Sequence, residues 1–356
     1  MDIDAIKNII AENMKKAFEQ NGGDTSIFKD GKSHSPDEII DMLDGEMRKI
    51  AEAQDTEFNR EKEQRKQAVE AKKKFDINEI IARIDSELPP KPMIRLVPKR
   101  VGKVGVFESK LGGTPYLPKD YPYPLGTGEQ HEGKPLRLLA QLNFEKLPHI
   151  KDFPEKGILQ IYCSDFGDDL VYGIDFDDLT VQNGFRVIYH ENILTDESLL
   201  ISENDLPEFS DDYCAFPFEG SFLLEAEEPS ECAATIHDAS FWDRLMKYCG
   251  ETAGCEPKCF ADIENAGFGD LDYLWDERSN NGSCMGGYPY FTQDDPRYSE
   301  EYERFDTLLL QIDSFYDRET KDEIMWGDMG VGSFFIPLEN LRKLDFSEVM
   351  YTWDCC

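Results

Sequence analysis

Apolar residues recur at helical spacing through the first 88 positions and at strand-like spacing thereafter. Ile3, Ile9, Ile10, Met14 and Phe18 trace one helix face, which Asn21-Gly22-Gly23-Asp24 interrupts. Ser35-Pro36 then supplies an N-cap and a proline for the first turn, ahead of a stripe of Ile39, Ile40, Leu43, Met47 and Ile50. From Asn59 to Lys74 the stripe fades, while Glu61/Arg65 and Glu70/Lys74 stand four apart, which predicts an exposed helical connector. Ile77, Ile80, Ile81, Ile84 and Leu88 form a short amphipathic helix that Pro89-Pro90-Lys91-Pro92 closes. The boundary between a helical extension, residues 1–88, and a main body, residues 89–356, is placed there.

In the body the pattern predicts strands at Lys103–Phe107, Leu138–Phe144, Ile158–Cys163, Leu170–Ile174, Phe185–Tyr189, Ser221–Glu225, Thr307–Ile312, Gly332–Ile336 and Val349–Trp353. Asp238–Gly250 reads as a helix with Phe241, Trp242, Leu245 and Tyr248 on its buried side. Few helices separate the strands, so the fold class is α+β with a mainly antiparallel sheet.

The body also repeats itself. Gly112-Gly113-Thr114-Pro115-Tyr116-Leu117-Pro118-Lys119-Asp120-Tyr121-Pro122 aligns without a gap with Gly286-Gly287-Tyr288-Pro289-Tyr290-Phe291-Thr292-Gln293-Asp294-Asp295-Pro296, with six of eleven positions identical. Leu138–Asn143 then matches Leu308–Asp313, and Gly157–Tyr162 weakly matches Gly330–Phe335. This predicts an internal duplication with two pseudo-symmetric halves, about 100–180 and 278–356. Each Gly-Gly-x-Pro-Tyr segment reads first as a tight corner capping the sheet. The functional reading is a ligand cradle lined by Tyr116 and Tyr290. A glutamine inside an apolar strand must be hydrogen-bonded if buried, which singles out Gln141 and Gln311. Asn143 and Asp313 follow two residues later on the same strand face. Trp326-Gly327-Asp328 and Trp353-Asp354 place a ring beside a carboxylate and are candidates for either core packing or binding.

Charge narrows the picture. The 356 residues carry 38 Lys+Arg against 73 Asp+Glu, a formal net charge of −35. Residues 101–356 alone hold 52 acidic and 19 basic residues. Such a field keeps a chain dispersed, attracts basic partners and disfavours nucleic acid. No apolar run reaches membrane-spanning length and the acidic start lacks a signal-peptide pattern, so a cytoplasmic location is expected. The nine cysteines form no paired framework and are read as reduced thiols. Cys249, Cys255 and Cys259 lack a second closely spaced pair, so no metal is expected, and no nucleotide cradle or zinc-protease motif appears, so no cofactor is expected. The acids Asp165, Asp168, Asp169, Asp175, Asp177 and Asp178 lack calcium-loop spacing and read as a solvated loop.

Ser109–Pro118, Leu139–Phe144, Gly157–Gln160, Val171–Asp178, Phe185–Tyr189 and Gly286–Gln293 together resemble the YwqG-like family of bacterial domains of unknown function, over about residues 75–356. The resemblance implies a cytoplasmic bacterial protein and carries no activity, cofactor or catalytic residue. The functional expectation is therefore a binding module rather than an enzyme, its acidic surface engaging a basic protein partner, in one version as an immunity-like protein. The alternative is a hydrolase-like enzyme with Asp313 and Asp328 as acids. There Tyr116, Tyr290, Gln141, Gln311, Asn143 and Trp326 would line a cleft holding a small polar ligand.

Overall fold

A computed structural model of the chain describes residues 58–60, 62–165, 172–209 and 216–355. The chain falls into two compact units, Met1–Lys74 and Phe75–Cys356. The stripes at residues 3–18 and 39–50 lie outside the described residues, as do Asp168 and Asp169. In the first unit, residues 62–70 are helical and exposed except for half-buried Val69.

The second unit begins with helix α1 (Ile77–Glu87), N-capped by Asp76, whose Oδ1 accepts from the Asn78 N–H. Its isoleucines Ile77, Ile80, Ile81 and Ile84 face the core, which makes α1 part of the body rather than of the extension with which the sequence grouped it. It packs on helix α2 (Ala239–Ala253), whose ends are fixed by the Asp238 N-cap and by Gly254 in the left-handed region. The Arg83 guanidinium lies 3.4 Å from the Tyr248 ring centre, and Arg278 makes a two-pronged ion pair with Asp85 at 2.7 Å.

Among the described residues thirteen strands follow in chain order: β1 (Lys91–Lys99), β2 (Lys110–Gly112), β3 (Arg137–Asn143), β4 (Ile158–Cys163), β5 (Phe185–His190), β6 (Ser221–Ala226), β7 (Ser230–Cys232), β8 (Cys284–Gly286), β9 (Thr307–Asp313), β10 (Phe315–Tyr316), β11 (Glu323–Ile324), β12 (Val331–Ile336) and β13 (Met350–Asp354). Eleven of them make one sheet in the order β5-β4-β3-β2-β6-β1-β8-β9-β12-β13, with β7 on the start of β1, while β10 and β11 form a separate hairpin. Every described pairing in it is antiparallel, so the fold is α+β with a mainly antiparallel sheet. The sheet curls until its ends approach. The Phe185 ring of β5 lies 5.3 Å from that of Tyr351 in β13 and 6.3 Å from that of Phe334 in β12.

Three expectations are corrected. β1 occupies the proline-rich stretch read as a boundary. It tolerates Pro98 because that residue lies past Met93–Arg95, the stretch paired by β8, where β6 is the remaining ladder partner. Lys103–Phe107 is irregular chain that enters a turn at Val106 and Phe107 rather than a strand. Of Leu170–Ile174, the first two residues lie outside the described residues, and Tyr172 and Gly173 turn the chain with φ of 46° and 78°.

Close packing dominates the β9–β13 end. An added Cβ on Gly332 would stand 2.4 Å from Cζ2 of the buried Trp326, whereas one on Gly102 would meet nothing within 4 Å. Gly332→Ala should therefore lower unfolding stability in urea by ~1–3 kcal/mol. Gly102→Ala should leave it within about 0.5 kcal/mol of wild type. Equal stabilities would refute the packing described for Trp326.

Candidate functional site

The Gly112–Tyr116 corner leaves β2 and folds back beneath β3 and β4. Gln141 stands in mid-β3, opposite Lys110, and is fully buried. Its Oε1 accepts from the Tyr116 N–H and from Gln160 Nε2, both at 2.8 Å. Its Nε2 donates to the carbonyls of Val106 and Glu108, again at 2.8 Å. Asn143 Nδ2 donates to the Phe107 carbonyl, and the Asn143 N–H donates to Ser109 Oγ. Gln160 Nε2 also reaches the Tyr116 carbonyl, and its Oε1 accepts from Tyr162 OH and His190 Nε2, each at 3.2 Å. The Tyr116 hydroxyl accepts from the Leu194 N–H, and its ring meets His190 edge-on at 5.1 Å. Lys110 extends beneath the corner, where Nζ donates to the carbonyls of Gly105 and Thr114, and burial pushes its amine down to about 7.

The Gly286–Tyr290 corner is wired by the same kinds of bond. Gln311 in β9, opposite Cys284, accepts at Oε1 from the Tyr290 N–H at 2.9 Å, and its Nε2 donates to the carbonyls of Asn280 and Gly282 at 2.9 Å. The Asp313 N–H donates to Ser283 Oγ at 3.1 Å, and Asp313 Oδ2 accepts from the Gly282 N–H at 2.5 Å. Burial raises the Asp313 carboxyl above the ordinary aspartate range despite these bonds. Asp354 is raised for the same reason, and both residues stand in register with Val331 of β12. The Tyr290 ring meets His237 at 4.7 Å. Burial lowers both corner histidines, His190 and His237, to about 4.

The candidate residues thus form two groups. Tyr116, Gln141 and Asn143 share the first corner, and Tyr290, Gln311 and Asp313 share the second. In the sheet, β2, β6, β1 and β8 lie between the Gln-bearing strands. Trp326 is fully buried against Tyr172, Tyr351 and Trp353 at 5.3–6.4 Å between ring centres, while Asp328 is exposed. Among the described residues, cavities lie outside both corners. A polar one of about 420 Å³ is lined by Thr127, His131, Asp175, Phe176, Asp177 and Asn183 among others. There His131 Nδ1 and Ser164 Oγ stand 3.1 Å apart, yet Ser164 is enclosed and cannot reach a substrate. A second, of about 260 Å³, is lined by Arg100, Lys321, Tyr172, Phe216 and Phe218 among others. The third, about 730 Å³, is a groove along β5. Carboxylate oxygens of Glu264, Asp270 and Asp272 lie within 4.8 Å of one another, a donor set suited to a hard cation. Sequence reasoning missed the trio because its spacing matches no cation-loop pattern, and missed the two tyrosine–histidine contacts because their partners come from separate segments.

Both corners and all strands from β2 onward lie within residues 109–355, which match the family described as Domain of unknown function (DUF1963). The chain belongs to this family. No curated protein matches the chain. Outside the DUF1963 match lie α1 and β1, although β1 pairs with strands inside it. Among the described residues no helix is long and apolar enough to cross a membrane.

Each corner glutamine satisfies one backbone amide and two carbonyls that would otherwise be orphaned. Gln141→Ala and Gln311→Ala should each cost roughly 2–4 kcal/mol in denaturant unfolding, well above an exposed glutamine control. The histidines give a second test. Unfolded histidine takes up a proton near 6.5, and the folded pair does so only near 4. Their contribution is thus intact above about 6.5 and is lost as pH falls toward 4. His190→Phe with His237→Phe should flatten the stability–pH curve across that window. An unchanged slope would show that neither ring is buried neutral.

Proposed function

We propose that the DUF1963 body is a protein-binding module whose acidic surface engages a basic polypeptide partner inside the cell, possessing no catalytic role of its own. The observation that carries this reading is the excess of 52 acidic over 19 basic residues in residues 101–356. The engagement of the polar candidates with backbone supports it further. The Gln141 and Gln311 amides, the Asn143 amide and the Asp313 carboxylate bind their own loops, which leaves structural ties where the hydrolase alternative needs substrate contacts. An immunity-like role is the form of this reading that suits an acidic protein with a basic target. The YwqG-like resemblance is its finer placement within the family.

We read the two corners as products of an internal duplication. The equivalent bonds of Gln141 and Gln311, and the runs β2-β3-β4-β5 and β8-β9-β12-β13 on either side of β6 and β1, support that origin.

The test is capture by the immobilised full chain from lysate of its source cells at low and high salt. A discrete basic protein should be retained at low salt and released at high salt, because such contacts are screened. Retention of an acidic protein, or of none, would reverse the reading in favour of a ligand-dependent enzyme.

A further inference from the structure

We propose that the groove beside β5 takes an extended segment of a basic polypeptide, which adds to the open edge of β5 as a further strand. This deepens the binding-module reading and rests on it for the charge of the partner.

The edge is defined by its hydrogen bonds. Among the described residues β5 ends the sheet and pairs with β4 alone. The Ser164 N–H donates to the Gly184 carbonyl, while the Val187 N–H turns the other way and donates to Gln182 Oε1 at 2.9 Å. Backbone groups alternate along an antiparallel strand, so those of Phe185, Val187 and Tyr189 point outward. Among the described residues, neither the N–H nor the C=O of Tyr189 has an outward partner, nor does the Val187 carbonyl. The opposite end of the sheet differs, since the Tyr351 N–H of β13 already donates to the Leu179 carbonyl at 2.9 Å. An open edge of this kind is a template for strand addition.

The groove gives the incoming strand a seat of about 730 Å³. One wall is the Tyr121–Leu125 segment, with alternating tyrosine and proline, and the other is Leu344 and Phe346. Tyr121, Leu125 and Leu344 remain exposed, at 41%, 47% and 37%. Such walls accept alternate side chains of an extended peptide. Arg186 lines the floor, its Nε enclosed without a hydrogen-bond partner among the described residues and its Nη2 donating to the Gln182 carbonyl at 3.2 Å. Gln182 marks where pairing stops. Its Oε1 holds the Val187 N–H and its Nε2 donates to the Ser347 carbonyl, so it bridges the gap as a side-chain rung. Carboxylates stand near it, with Glu145 and Glu191 acting on the Tyr189 hydroxyl and Asp345 adjoining Leu344, but Lys156 pairs with Glu191 at 3.1 Å, so the net acidity that draws a basic peptide is that of residues 101–356 as a whole. Arg186 is the one formally charged residue among the described residues of the lining. Flanking lysines or arginines on the peptide complement that surround.

The test screens the full chain against a synthetic library of peptides of about ten residues, with lysine at both ends and a randomised centre. Enriched peptides should protect the Tyr189 amide from hydrogen exchange. N-methylating alternate central amides should weaken binding about tenfold in one phase and little in the other, since only one phase faces β5. Tyr189→Pro, which removes the outward N–H at an edge position, should weaken it by a similar factor. Peptide N-methylation reads the same bond without altering the protein. Enriched peptides that bind without Tyr189 protection and without phase-dependent N-methyl sensitivity would overturn strand addition and leave the electrostatic reading standing. Enriched peptides whose counterparts with alanine in place of the terminal lysines pair at β5 equally well, at low and high salt, would keep the groove and overturn the basic partner. No enriched peptide at all would overturn the proposal.

Discussion

A corner that folds back beneath a sheet carries its amides and carbonyls out of water, and each must find a partner there. In this protein a strand glutamine at each corner supplies much of that partnering, joined at the first corner by Gln160 and Lys110. Gln141 and Gln311 each hold one amide of the returning chain and two carbonyls of the loop before it. Leaving such groups unpaired would cost ~1–3 kcal/mol apiece, a sizeable share of an ordinary domain's stability. The tyrosines are placed as a consequence, because the residue whose amide is gripped is the tyrosine itself. Its ring then has one direction to take, against the nearby histidine.

The distribution of charge follows a related logic. Several of the scarce cations serve interior ties: Arg95 holds the Asn280–Gly282 loop, Arg278 clasps α1 through Asp85, and Arg297 joins Asp238 and Asp295 in an almost fully enclosed cluster. The two aspartates around Arg297 are also caps, of α2 and of the turn at Pro296–Tyr298. Carboxylates outnumber such partners by far and are left to face water. The result is an acidic exterior around internally committed arginines.

The sequence made the strand-rich body, α2 and both corners legible, because paired glycines followed by proline and tyrosine, and a glutamine in an apolar run, are unusual enough to stand out twice. β4 and β12 were found as apolar runs, since every residue in them is buried and no alternation exists to read. β2 and β8 escaped because three residues carry no periodicity, and β1 escaped because its prolines signal a break. The seat of Trp326 could not be read from Trp-Gly-Asp alone, for it depends on Gly332 and Tyr172 arriving from other segments. The groove along β5 likewise exists only once Tyr121 and Phe346 have been brought to one strand.

The position of β1 has a consequence during synthesis. It leaves the ribosome early, yet its ladder partners are Leu223–Ala226 and Cys284–Gly286. At ~5–20 residues per second, Leu96 waits on the order of ten seconds before Ala226 even exists. Throughout that interval a nine-residue strand bearing Met93, Ile94, Leu96 and Val97 is bare on both sides. Pro92 and Pro98 are well placed to keep it from pairing with another nascent chain, since neither can donate to a foreign ladder. The residues that disguise β1 in the sequence are thus those that guard it until the rest of the sheet arrives.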